Sequence, residues 1–269
     1  SWDALRAEDR ERSPSLYLMI RDSDGQLVRQ LTGNSSSGLH QTAWDLRLPA
    51  PDPVNISSNT ARPYWMSDPT GPLALPGDYT ARLAVERDGE LTEVGPSRTF
   101  RVKPLNASSE ISDDRRALQA FQLKVVDVQR VTQGSLRSLN EMKNRLAHLR
   151  EAITRTPATS REDEDMLSTI QQRLADLSVD FNGDSTVSSR NEAAPLGIAS
   201  RVSSIYWNSM YSQSDPGGNA RKSYEIAKGE LAEALSELRA VNDQLVALEA
   251  SLERSGAPWT PGRIPKLPD

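Results

Sequence analysis

A small β-sandwich followed by an antiparallel four-helix bundle, a β + α multidomain architecture, is the fold class this sequence predicts. A change of period carries the prediction. Up to about Lys103 the chain alternates in steps of two between Gly and Pro breaks. From Leu118 it reads in heptads: Leu118, Val125, Thr132, Leu139, Leu146 and Ile153 lie seven apart, with Phe121, Val128, Ser135, Met142 and Leu149 interleaved. Two such rows mark a long helix packed against others. The division is set at 1–104 for the sandwich and 105–269 for the bundle with its Pro-rich tail. It implies no helix before residue 100 and no sheet strand drawn from 115–250.

The strands follow in order. Leu16–Ile20 is the first, and the turn Asp22-Ser23-Asp24-Gly25 leads to the second, Gln26–Leu31. Asp-Gly between apolar runs signals a hairpin, because Gly accepts the positive φ of the turn. Gly38–Arg47 reads as a third strand with Trp44 and Leu46 on one face. Pro76-Gly77-Asp78 opens a fourth, in which Tyr79, Ala81, Leu83 and Val85 alternate inward. The turn Arg87–Glu90 leads to Leu91–Val94, and Arg98–Lys103 closes the set. Short strands separated by turn signals point to a sandwich.

Four helices are expected next. The first spans Asp113 to about Thr154, with Ser112 as N-cap and Asp113 and Asp114 in the first turn. The second spans Arg161 to about Phe181, with Ser160 as N-cap and Asp163 in the capping-box position. The third spans about Leu196–Ser212 and the fourth about Asn219–Arg254. The fourth carries the rows Tyr224, Leu231, Leu238, Leu245, Leu252 and Ala227, Ala234, Val241, Leu248. An antiparallel bundle suits them, and an extended homodimeric coiled coil is the competing arrangement. In the tail, Trp259 and Ile264 could pin an otherwise disordered Pro-rich segment across the bundle.

Composition excludes several functions. Net charge is -5 over 269 residues, so no global field favours nucleic acid or an anionic membrane. Cysteine is absent, which removes disulfides, thiolate catalysis and Cys-ligated zinc. No apolar run is long enough to span a bilayer, and no signal peptide is read. The opening Ser1-Trp2-Asp3 reads as a piece cut from a longer protein.

Candidate chemistry is sparse. Asp180–Asn191 places oxygen side chains at positions 1, 3, 5 and 9 of an EF-hand-like loop. Ser185 stands where that loop needs Gly, and Asn191 where it needs a bidentate carboxylate, so the plainer reading is a polar interhelical loop with no metal. His40 and His148 fall in different halves and form no catalytic grouping. Gly217-Gly218 before a helix lacks the spacing of a phosphate loop. Asp45 and Asp78 sit beside turns, where short carboxylates bond backbone amides. The Pro49–Pro76 stretch carries Tyr64 and Trp65, which either form an aromatic platform for sugar or peptide or pack against the helical half. Trp207 and Tyr211, four apart, widen the apolar surface of the third expected helix and complete the candidate ligand-binding residues. No catalytic residue and no cofactor is assigned.

The segments IRDSDGQLVRQL, Gly38, TAWDLRLP and LPGDYTARL resemble the Ig-like module of flagellar hook-capping proteins and related secretion-associated domains. With the heptad helices and the closing GAPWTPGRIP, the whole chain resembles the C-terminal region of large secreted bacterial proteins with sortilin-like, BNR-repeat β-propellers labelled glycosyl hydrolases. The resemblance implies a non-catalytic accessory region that scaffolds an upstream propeller outside the cytoplasm, with any family activity lying before Ser1. A glycan- or peptide-binding module is the alternative, and an independent hydrolase a third reading.

Overall fold

The computed structural model describes residues 1–56, 69–105 and 114–265. The expected N-cap Ser112 and the loop aromatics Tyr64 and Trp65 lie outside these described residues. The architecture is α+β: one open antiparallel sheet of four strands, then long packed helices. The strands are β1 (Ser15–Arg21), β2 (Leu27–Gly33), β3 (Gly77–Arg87) and β4 (Glu90–Val102), in the order β2-β1-β3-β4. The helices are α1 (Trp2–Arg10), α2 (Arg115–Thr154), α3 (Arg161–Asn182), the short α4 (Ser185–Ser188), α5 (Ile198–Tyr211) and α6 (Gly218–Arg254).

Two compact units emerge. The first takes in the sheet, α2 through Leu123, and Ser212–Asp215. The second runs from Lys124 to Tyr211, resumes at Pro216, and also takes the described residues 52–56. The division therefore falls inside the continuous helix α2.

The first unit corrects the expected strands. Among the described residues there is one sheet, and Gly38–Arg47 is not a strand of it. Arg47 instead makes an isolated antiparallel bridge to Leu73, flanked by Leu48 N–H to Pro72 O at 2.9 Å and Ala74 N–H to Leu46 O at 2.8 Å. Leu46 at φ 58° turns the chain out of the extended state just there. The two expected C-terminal strands are one, β4, because Gly95-Pro96-Ser97 is accommodated as a bulge opposite Arg82. Gly95 takes φ 69°, and the missing Pro96 N–H is harmless at an irregularity.

Both hairpin turns form as the sequence indicates. Asp22 Oδ1 accepts from the Asp24 and Gln26 amides while Gly25 sits at φ 78°. Asp88 and Gly89, at φ 52° and 83°, give the two-residue turn matched to strand twist. Tyr79, Ala81, Leu83 and Val85 share one face, opposite Ile20, Leu18 and Leu16 of β1. Trp44 closes one end of that face, edge-on to Tyr79 at 5.4 Å and to Phe100 at 6.1 Å. On the other face Arg21 and Arg82 clamp Glu93 at 3.0 and 2.8 Å. Their aliphatic stems help to explain why Met19 and Ala84, on that polar face, are buried.

Helix α1 departs from the sequence reading, which placed no helix before residue 100. Its start is nevertheless encoded: Ser1 Oγ accepts the Ala4 amide at 3.3 Å, and Asp3 and Arg10 complement the dipole. None of its residues is buried, so it adds nothing to a core.

In the second unit the heptad rows are the core. Leu139, Leu146, Leu231, Leu238 and Leu245 are all buried within a single chain. Asp114 caps α2, its carboxylate accepting the Ala117 amide at 2.9 Å. The capping box of α3 is complete: Ser160 Oγ accepts the Asp163 amide and the Asp163 carboxylate accepts the Ser160 amide. Helix directions differ from the uniformly antiparallel expectation. Arg145 of α2 reaches Asn242 and Glu249, and Asp127 lies near Tyr224, so α2 and α6 run parallel. Helix α3 runs against α6, with Asp163 bonded to Ser251 at one end and Arg173 to Glu237 further along. Helix α5 then takes over where α3 ends, with Arg201 paired to Glu230. Helices α3 and α5, 22 and 14 residues long, thus lie in tandem along the 37 residues of α6. The cause is the connection. Gly183 takes φ 83°, and Gly197 approaches Gly183 too closely for a side chain, so the backbone steps across and resumes its course instead of reversing.

Trp259 and Ile264 do not pin the tail; they are 58 and 89 % exposed. Polar groups anchor it instead: Arg263 bonds Glu253 at 2.6 Å and Thr260 is buried.

Candidate functional site

Of the aromatic residues singled out from sequence, the described pair is Trp207 and Tyr211 on α5. Spacing of four on a helix stacks them, with centroids 6.0 Å apart and planes 13° from parallel. Tyr206 is buried beneath and meets Trp207 edge-on at 5.1 Å. The result is an aromatic ledge, half-buried at Trp207 and 55 % exposed at Tyr211. Stacked rings of this kind offer an apolar surface to a sugar face or a partner side chain.

The carboxylates beside turns have structural partners. Asp45 Oδ1 accepts the Arg47 amide at 3.0 Å. Asp78 holds Arg101 through two bonds of 2.6 and 2.8 Å, and the guanidinium keeps its carboxyl below the usual aspartate range. His40 is bonded to Ser36, and His148 is exposed. Gly217 is the N-cap of α6 and supplies no side-chain bond.

The loop after α3 folds as a helical turn. Asp184, the fifth position of the EF-hand-like pattern, commits its Oδ1 to the Thr186 and Val187 amides as the N-cap of α4. Among the described residues no three acidic or histidine side chains gather as a metal ion requires.

The joint between α3 and α5 leaves a hollow of about 440 Å³ against α6, which sequence reasoning missed. Asp180, Asp184, Glu230, Glu233 and Glu237 line it. Arg201 pairs Glu230 and Arg173 pairs Glu237, which lowers the Glu237 carboxyl through its hydrogen bond. Asp180 is different. Desolvation, then the charges of Asp176, Glu230 and Glu237, push its carboxyl above the ordinary value. The heptad pattern could not show this, because Asp180 and Glu230 lie on different helices and meet only where α3 packs against α6.

The sheet presents a second feature. Register aligns Leu31, Leu18, Leu83 and Val94 in one row across all four strands. Leu83 is 43 % exposed, and its three neighbours in the row are half-buried.

No family model, no curated protein and no solved structure matches the chain.

Proposed function

We propose that this chain is a non-catalytic accessory region that scaffolds a larger secreted protein by contact. The single observation that carries the reading is the partly exposed apolar row Leu31–Leu18–Leu83–Val94, with Leu83 43 % exposed. A sheet face of that composition is ordinarily buried, and apolar surface left open marks an interaction site. On this reading the sheet is the Ig-like module, its open face the half of a sandwich completed by a neighbour. The helical half is a bundle in which four helices occupy three positions. The neighbour is an upstream β-propeller of the sortilin-like type, and the location is extracytoplasmic.

The stacked Trp207–Tyr211 ledge favours a second reading, a glycan- or peptide-binding module that would also use Tyr64 and Trp65.

The test is to express the chain with and without the upstream region of its reading frame and to assay both on sialosides, aryl glycosides and casein. Inertness of the chain alone, with association lost on Leu83→Glu while the fold is kept, supports the scaffold. Turnover by the chain alone, abolished by one polar substitution without unfolding, sinks it.

A further inference from the structure

A second depression lies on the opposite flank of α3 and has no acidic residue in its lining. It is a trough of about 620 Å³ between α2 and α3, within the size range of small-molecule sites. Direction fixes its walls. Arg150 of α2 is hydrogen-bonded to Gln171 of α3, and α3 runs against α2, so Lys143 faces the Asn182 end. Leu146 and Leu174, both buried, form an apolar floor. Ala147 and Ala175 keep the walls low between the two ends. Ser185 and Ser188 of α4 close the Lys143 end with hydroxyls. From Lys143 to Arg150 the helix rises about 10 Å.

The charge pattern is the informative part. The protein carries net charge -5, yet this trough is flanked by two cations and no carboxylate. Elsewhere in the second unit Arg145, Arg173, Arg201 and Arg263 each hold a glutamate. Among the described residues Lys143 has no partner, and Arg150 bonds only the neutral Gln171. Two uncompensated cations over an apolar floor complement one chemistry.

We propose that this trough binds a small amphipathic anion: one carboxylate, sulfonate or phosphate group on an apolar body about 10 Å long. The head group sits between the Lys143 ammonium and the Ser185 hydroxyl, and the body lies over Ala147 and Ala175 on Leu146 and Leu174. This site is independent of the scaffold reading.

The experiment titrates octanoate, octyl phosphate and octylammonium into the intact chain, following heat and the methyl resonances of Ala147 and Ala175. Both anions should bind and shift those methyls, and octylammonium should bind at least tenfold more weakly. Lys143→Glu should weaken octanoate at least tenfold. Ala147→Leu should block it, and the exposed Lys124→Glu should leave it unchanged, all with unaltered helical circular dichroism. Any one of these results overturns the proposal: equal binding of the ammonium, octanoate shifts that spare Ala147 and Ala175, or indifference to Lys143→Glu. Binding to anionic phosphatidylglycerol vesicles without any binding of free octanoate also overturns it, by assigning the cations to a membrane surface.

Discussion

Gly197 stands so close to Gly183 that a β-carbon on it would collide with the Gly183 nitrogen and lie 2.7 Å from the Phe181 oxygen. Backbone therefore packs on backbone at the step between α3 and α5, and the tandem arrangement of those helices depends on it. Gly197→Ala forces main-chain atoms apart and should destabilise the second unit by about 1–3 kcal/mol. Gly134 and Gly229, inside α2 and α6, give the contrast, since a β-carbon on either would meet nothing within 4 Å. Alanine at either should stabilise by about 0.5–1 kcal/mol through helix propensity. Urea midpoints of the three variants decide it, and a neutral Gly197→Ala would refute the close-packed step.

Arg145 and Glu249 form a bidentate pair at 3.0 and 2.8 Å, with side chains only 17 and 8 % exposed. Removing one partner leaves the other charge desolvated, so Arg145→Met or Glu249→Gln alone should lose about 3–5 kcal/mol. Replacing both, Arg145→Met with Glu249→Leu, should recover most of that loss. A double-mutant cycle by denaturant unfolding measures the coupling, and strictly additive losses would contradict it.

The long helices were legible because their cores repeat locally: Leu231, Leu238 and Leu245 announce one buried stripe without reference to any other segment. The Ser160–Asp163 box and the Asp88-Gly89 turn were legible for the same reason, since each closes within four residues. What sequence could not show depends on distant pairs. The merging of two strands into β4 needs the bulge opposite Arg82, and the loss of the Gly38–Arg47 strand needs the left-handed Leu46. The acidic hollow needs Asp180 carried to Glu230, and the trough needs Lys143 set opposite α4. Helix direction is likewise invisible to a heptad, which reads the same either way along its axis.

The capping box has a pH signature. Burial pushes the Asp163 carboxyl up, yet hydrogen bonds from Ser251 and Ser160 and the charge of Arg254 outweigh it and hold the group below its ordinary 3.8. A lowered folded pKa means stability that is present above the unfolded value and lost as pH falls through the folded one. Ser160→Ala should lose about 1 kcal/mol at neutral pH. Asp163→Asn should be less stable than the parent at pH 6, with the gap closing below 3.8. A gap that stayed constant into acid would show that the carboxylate charge is not what holds the cap.

Asp180 titrates in the opposite sense. Desolvation and the nearby Asp176, Glu230 and Glu237 raise its carboxyl, so the folded chain holds this proton more tightly than the unfolded chain does. The contribution to stability is then fully present below the ordinary value of 3.8 and is lost as pH rises through the raised one. At neutral pH the ionised Asp180 is a burden on the joint between α3 and α5. Asp180→Asn, which keeps the shape and removes the charge, should raise the melting temperature at pH 7. The gain should shrink steadily as pH falls through the raised value, and should vanish below 3.8, where the parent carries the same neutral group. Added salt should reduce the gain at pH 7 as well, because part of the penalty is repulsion between partly exposed charges. Thermal melts of parent and variant across that range are the measurement. A lower melting temperature for Asp180→Asn at pH 7 would mean that the carboxylate is held by a favourable partner, and the acidic hollow would need a different account.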